Sequence, residues 1–199
     1  MTKIIDSLNW RYATKSFDTT KKVSNEDLEE IIEGFRLTAS SFLEPWKLII
    51  VENEGLKNEL VNYSFGQKQV EASHVLVFTR VLSIDNNYVD KSLDNMSSIT
   101  GASRENLKYE DVIKFVSKSS DEVLTWAREQ VFIALNVMNV LAEKIDSCAM
   151  FDSVKYDEVL LKEKGLASVV VLPIYRSDDK YSKYPKVRFS REEIVEIVK

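Results

Sequence analysis

Between Val123 and Leu141 the chain is apolar almost all round, within the longest run of helical spacing, Ser120–Glu143. A helix without a continuous polar face is expected to be buried on more than one side. Whatever the fold, this helix belongs near its centre, and the other elements must be arranged to cover it.

Those elements follow from periodicity and punctuation. Ile4, Ile5 and Leu8 predict a short helix over residues 2–10, ending at Trp10. Ser24 predicts the N-cap of a helix over Asn25–Leu37, with an acidic first turn and the apolar stripe Leu28, Ile31, Ile32 and Phe35. After a loop over residues 38–46, Lys47–Glu52 reads as a buried strand and residues 54–63 as a helix. Ser73–Arg80 reads as a second strand. Asn86–Ser119 is the most polar region and predicts two helices around a break at Gly101, a surface excursion that covers something. Ile145–Met150 predicts a short strand, and Asp152 or Ser153 a cap for a helix to Lys164, stopped by Gly165. Ala167–Tyr175 is the strongest strand. A polar, extended tail from Arg176 to Arg188 leads to a short helix over residues 190–198, capped by Ser190. Strands interspersed with longer helices predict one compact α+β domain.

Composition removes several function classes. The 199 residues carry a net charge of −5, with a pI near 5.1, which argues against general affinity for nucleic acid or an anionic membrane. One cysteine, Cys148, excludes an intramolecular disulfide and fits a reducing compartment. With a single histidine, His74, it also argues against the usual zinc ligand sets. Cys148 lies in an apolar run and reads as a buried, inert thiol. No apolar run reaches membrane-spanning length and no signal-peptide core is found, so a soluble cytoplasmic protein is expected.

Arg11–Asp18 reads Arg-Tyr-Ala-Thr-Lys-Ser-Phe-Asp, placing Arg11 and Lys15 four residues apart in a short polar turn. Such a turn can lay a guanidinium fork and backbone N–H groups against an anion such as a phosphate. A second pair, Lys186 and Arg188, waits near the other end of the chain. Spacing alone reads equally well as solvated surface; the anchors Trp10, Phe17 and Phe189 favour two chain ends closing on one anion. Ser40 and Ser41, ahead of Pro45-Trp46, either present hydroxyls and amides to a planar heterocycle or form a plain capped connection. Gly66-Gln67-Lys68-Gln69 offers side-chain amides that donate and accept, in a kind of polar loop that precedes many strands. Gln130, inside the apolar helix, needs a partner, whether a ligand or neighbouring backbone. His74 reads as a satisfied strand-end histidine. The acidic residues form no pair placed for hydrolysis, and no nucleophile elbow, Walker loop or dinucleotide fingerprint is present. No catalytic side chain and no metal site are expected.

In their order and spacing, Arg11–Asp18, Ser40-Ser41…Pro45-Trp46, Gln67-Lys68-Gln69…Glu71–His74, the Gln130 helix, Leu161–Gly165 and Pro185–Arg188 resemble the FMN-dependent nitroreductase family. The likeness runs along nearly the whole chain. It implies an α+β nitroreductase-like fold, with a central, mainly antiparallel sheet flanked by helices, in an intertwined homodimer holding FMN at the subunit interface. It implies one domain over residues 1–199, with a helical excursion at about 86–119 and a tail, 176–199, that wraps the partner. By the same resemblance Arg11, Lys15, Lys186 and Arg188 would hold the flavin phosphate, with Tyr12 and Ala13 near that end. Gly66 and Gln69 would face the ring's polar edge or the ribityl chain, and Ser40 and Ser41 would come from the other subunit. Gln130, Ala149 and Met150 complete the expected cofactor-binding set. NAD(P)H would give a hydride to the flavin and leave, and a nitroaromatic, quinone or similar electron-poor acceptor would enter the same slot. In such enzymes the protein supplies binding, orientation and electrostatics.

The chain departs from that pattern. The family usually has one more residue between Phe42 and Leu43, another between Val70 and Glu71, and a glycine near Leu135–Asn136. It has a Glu-Gly pair before the Phe where Ala149-Met150 stand here, with a backbone N–H facing the flavin N5, and another glycine after Ile174. Glycine permits positive φ and close backbone approach to a ligand, and this chain has 5 in 199 residues. A non-catalytic or flavin-deficient dimer that retains the fold is therefore the alternative.

Overall fold

A computed structural model describes residues 3–41, 43–65, 67–140, 145–151, 156–157, 160–161, 163–175 and 185–198. Its centre is the antiparallel pair β2 (His74–Val81) and β5 (Leu166–Tyr175). Val75, Leu76, Val77 and Phe78 on β2 are fully buried, so both faces of this strand are covered. Alternation divides them, as the pleat requires. Leu76 and Phe78 join Val131, Leu135, Val170, Leu172 and Ile174 in one apolar cluster. Val75 and Val77 join Leu60, Val70, Tyr156 and Val171 in another. The first cluster lies under α2 (Asn25–Arg36) and α6 (Ser120–Val140), the second under α3 (Glu54–Tyr63). The register slips between Phe78 and Thr79, leaving Val169 as an extra residue on β5. This bulge puts both Val169 and Val170 into the first cluster.

The strand order is β1-β2-β5-β3, with β4 also on β5, and every strand pair is antiparallel. The sequence expectation of one strand over Ile145–Met150 resolves into β3 (Asp146–Ser147) and β4 (Met150–Phe151). Both follow one register on β5, which sets Cys148 opposite Pro173. The Cys148 N–H reaches the Pro173 carbonyl at 3.4 Å, but proline has no N–H to return the bond, and the ladder breaks there.

β1 (Trp46–Val51) corrects the expectation of a buried strand. It lies at the end of the strand order, and most of it is only half-buried. The long helix also differs from its reading. Val123, Ala127, Gln130, Val131, Ala134 and Leu135 are buried, but Arg128 and Glu129 face out and Ile133 is 43% exposed. Its charged side faces solvent, and its last expected residues, 141–144, lie outside the described set. The helix expected up to Lys164 is not seen at its described positions, which are turns and bends ending at Gly165 with φ +67°. Its expected caps, Asp152 and Ser153, lie outside the described residues. Tyr156 in this stretch is buried, with Oη 2.8 Å from Ser64 Oγ. The final helix, α7, spans only Arg191–Ile194, though Ser190 and Glu193 form the reciprocal cap.

Three contacts position the loops that matter later. Lys57 on α3 is 1% exposed and donates to the carbonyls of Ala72 (2.7 Å) and Ser73 (3.2 Å), while pairing with Glu54. It holds the end of the 3₁₀ turn Lys68–Glu71. The loop before β1 is tied at one end by the Ser41 N–H donating to Gln130 Oε1 at 2.9 Å. At the other end Tyr88 Oη donates to the Glu44 carbonyl at 2.6 Å. Tyr88 belongs to α4 (Asn86–Thr100), which with α5 (Tyr109–Val116) forms a third apolar cluster around Leu43, Val89, Leu93 and Val112. Gly101, at φ +71°, ends α4 in the left-handed cap that glycine adopts without strain.

Gln130→Leu leaves the Ser41 N–H without its acceptor. It should cost about 1 kcal/mol in urea unfolding and speed amide exchange at Ser41, with little change elsewhere. His74 supplies a pH prediction. Its ring is buried, Nδ1 lies 2.8 Å from Ser73 Oγ, and Glu52 stands 3.7 Å from Nε2. Burial pushes its pKa below the usual value of 6.5, and Lys57 and Lys22 add to this while Glu52 and Glu54 oppose it. A depressed folded-state pKa means that the stabilisation is complete above the unfolded value and is lost as pH falls below it. Unfolding free energy should therefore drop from pH 6.5 downward, and His74→Asn should flatten that part of the profile.

Candidate functional site

The basic turn begins where α1 (Lys3–Trp10) ends. The Arg11 N–H closes the last helical turn on the Ser7 carbonyl at 2.9 Å. Ala13 then makes a single parallel bridge to Ser147, and the Thr14 N–H donates to the Ser147 carbonyl at 3.2 Å. Since Ser147 is itself paired with Ile174, the turn is stitched through β3 to the central strand. Buried Phe17 anchors its far side. Asp18 closes the turn by accepting from the Thr20 hydroxyl, the Thr20 N–H and Lys21, which holds its carboxyl down to about 2.

The two chain ends meet. Residues Asn9–Ala13 and Pro185–Arg188 line one open cavity of about 560 Å³. Lys186 Nζ donates to the Asn9 carbonyl at 2.8 Å and to the Arg11 carbonyl. Among the described residues Arg188 Nη1 donates only to its neighbour, the Val187 carbonyl, at 2.6 Å. Arg11 Nε is buried and has no hydrogen-bond partner. Among the described residues no carboxylate pairs with Arg11, Lys186 or Arg188. Burial pushes the Lys186 pKa down, and the like charges of Arg11 and Arg188 push it further. Three cations that line one cavity without a counter-charge among the described residues are chemically able to hold an oxyanion.

The structure thus brings together Arg11, Tyr12, Ala13, Lys186 and Arg188. It does not bring the other candidates to that cavity. The Lys15 ammonium instead lies 3.8 Å from Cys148 Sγ, a buried thiol whose pKa rises through burial against the opposing charge of Lys15. Ser40 is half-buried and Ser41 exposed, in the loop tied to Gln130. Gln130, whose partner sequence reasoning left open, binds that backbone. Gln69 is half-buried in the 3₁₀ turn, its carbonyl accepting from the Ala72 N–H. Ala149 is half-buried against the first cluster, and the Met150 side chain is packed in the second. Gly66 lies outside the described residues. Sequence reasoning passed over Thr14, which is fully buried with an unpartnered hydroxyl. Only its pairing with Ser147, which is distant in sequence, sets it apart. Among the described residues no acidic, histidine or cysteine cluster could hold a metal, and no helix is long and apolar enough to cross a membrane.

The nitroreductase family model matches residues 8–197. A candidate NAD(P)H nitroreductase of Bacillus subtilis, YfkO, is 36% identical over 220 positions, covering 99% of this chain and 98% of that protein. Another from Staphylococcus epidermidis is 38% identical over 212 positions, with 96% and 95% covered. Both alignments run over more positions than the chain has residues, so gaps fall opposite this chain. The fold matches a nitroreductase-like protein of Streptococcus mutans, with a TM-score of 0.83 at 20% identity and 98% of each chain covered. It also matches a candidate nitroreductase of Exiguobacterium sibiricum solved in complex with FMN, with a TM-score of 0.79 at 19% identity, covering 100% of this chain and 98% of that one. The chain belongs to the nitroreductase family.

Proposed function

We propose that this protein is an FMN-dependent oxidoreductase that takes hydride from NAD(P)H and reduces nitroaromatic, quinone or related electron-poor acceptors. The observation that carries this reading is the cation cavity lined from both ends of the chain, with Arg11 Nε buried and unpartnered among the described residues. A flavin phosphate fits that donor set: Arg11 and Arg188 offer planar forks, and Lys186 keeps one N–H beyond the two it gives to carbonyls. Tyr12 and Ala13 line the same cavity, while the Lys15 ammonium lies apart from it, at Cys148. Bound FMN would supply the redox chemistry, accepting hydride from the nicotinamide and passing it to an acceptor that enters once the nicotinamide has left. The chain's own residues bind and orient; no side-chain acid or base is required of them.

The working unit in this reading is a cytoplasmic homodimer, with Ser40, Ser41, Gly66, Gln69 and Gln130 at or near the flavin of one subunit or the other. Unpartnered apolar surface supports the dimer. Ile5, Leu8 and Trp10 on α1, Ile133 on α6, and Val187, Phe189, Ile194 and Ile197 in the tail are all exposed. The outer β1 strand carries an apolar groove of about 340 Å³ lined by Ile32, Phe35, Trp46, Leu48 and Ile50. The tail of the partner is the proposed covering.

One observation favours a second reading, a flavin-deficient dimer. Ala149-Met150 stand where the family resemblance places the N5 contact, and the Met150 side chain is committed to the core while its backbone pairs with Val171.

An absorption spectrum separates the two. Flavin absorbance that bleaches with NAD(P)H supports the enzyme; protein that stays colourless after FMN is added supports the second reading. In the first case, Arg11→Ala and Arg188→Ala should each weaken FMN binding by roughly tenfold to a hundredfold, the range for losing a charge-assisted hydrogen bond. Lys21→Ala and Lys22→Ala should bind FMN like the parent protein, and equal losses at all four positions would displace the phosphate from this cavity.

A further inference from the structure

We infer that a phosphate group in this cavity is the latch that holds the C-terminal tail to the body of the protein, with Lys186 as its pin. The inference rests on the flavin reading above and deepens it, since it states what occupancy of that site does to the chain.

Every described residue from 185 to 198 is exposed. The cap formed by Ser190 and Glu193 is local to the tail. Among the described residues of the tail, one side chain is hydrogen-bonded to the body: Lys186, through the Asn9 and Arg11 carbonyls. Those carbonyls lie at the C-terminal end of α1, a helix with no basic residue in its own last turn. A cation there satisfies orphan carbonyls and complements the helix dipole. Lys186 therefore supplies from the far end of the chain the cap that α1 lacks.

That single pin works against charge. Lys186 and Arg188 arrive on the tail, and Arg11 meets them on the body, with no carboxylate among the described residues to offset them. The depressed Lys186 pKa has the same origin, burial first and the two guanidinium groups next. Like charges push the tail away, and a dianion placed between them adds an attraction to each cation that outweighs their mutual repulsion. Among the described residues Arg11 Nε has no partner and Arg188 bonds only to its own neighbour, so both guanidinium groups keep hydrogen-bonding capacity for an anion. An occupied cavity thus joins residues 11 and 188 through one shared ligand, and without it Lys186 is the one side-chain pin among the described residues of the tail. Val187, Phe189, Ile194 and Ile197 ride on this segment, so the latch also fixes where that apolar surface is presented.

The phosphate can come from FMN or from free phosphate, and protease protection tells them apart. The full chain, dialysed free of small anions, is mixed with FMN, riboflavin or inorganic phosphate. A glutamate-specific protease is then added, and cleavage after Glu192 and Glu193 is followed by intact mass. These sites lie beyond the cations, so protection reports docking of the tail. FMN and inorganic phosphate should each slow the cuts by about tenfold, as expected when a ligand binds only the closed form. Riboflavin, which lacks the phosphate, should give no protection. Lys186→Gln should abolish protection and lower the urea midpoint only slightly, since what it removes from the free protein is the cap of α1. Riboflavin protecting as well as FMN would overturn the latch, and so would bound FMN, seen by fluorescence quenching, without protection. Failure of FMN to bind while inorganic phosphate still protects would overturn the flavin reading and leave the latch standing; protection by neither removes the latch.

Discussion

The antiparallel pairing of β2 with β5 is the constraint from which the rest of the structure follows. Because both faces of β2 are apolar, the sheet must be covered twice, by α2 and α6 on one side and by α3 on the other. Two covered faces leave only edges and strand ends for chemistry. One edge is β1 and its apolar groove. The other is β3 and β4, interrupted opposite Pro173. The basic turn attaches at that interruption, through Ala13 and Thr14 to Ser147. The position of Arg11 is thus set by a ladder running from β5 to β3 to the turn, and a change in the β2–β5 register would move the cations with it.

Electrostatically the site runs against the rest of the molecule. The chain carries a net −5, and elsewhere some of its charges are paired locally, as in Arg36 with Glu33 or Arg104 with Asp90 and Asp94. Such exposed pairs add little stability. At the cavity no carboxylate among the described residues pairs with the cations, although acidic residues outnumber basic ones overall. An uncompensated cluster costs free energy in the empty protein, and it is kept where a ligand restores the balance.

Much of this was legible in the sequence where local chemistry decides. Ser24, Ser190 and Gly101 each mark a real helix end, because capping depends on a few adjacent residues. The strands around Val77 and Val171 were found because their cores are continuously apolar. What failed depended on partners distant in sequence. Periodicity cannot tell that β1 lies at an edge, since edge and centre differ by a neighbour and not by composition. Nor does Pro173 announce that Cys148 sits opposite it. The apolar face of α6 was overestimated because a helix can carry residues such as Ile133 on an exposed side. That the Lys186 ammonium also caps α1 was not legible either, because this role exists only once residues 9 and 186 meet.

The candidate site consequently divides into two unequal halves. The cation cavity, proposed above as the phosphate end, is assembled within one chain, from a turn anchored to the sheet and a tail pinned to that turn. The remaining candidates, Ser40, Ser41, Gln69 and Gln130, stand on the β1 loop, the 3₁₀ turn and α6, away from that cavity. A planar ring held at its phosphate by one chain would need a second surface to lie against, and the exposed apolar faces of α1, α6 and the tail are where a second copy would supply it. Where Ala149-Met150 replace the expected Glu-Gly, Met150 fills the core with its side chain and leaves only backbone to face outward. That backbone is restrained by pairing with β5 on both sides of the Pro173 break. Anion capture and hydride chemistry therefore depend on different parts of this fold, and a chain that keeps the first can lose the second without any change in its sheet.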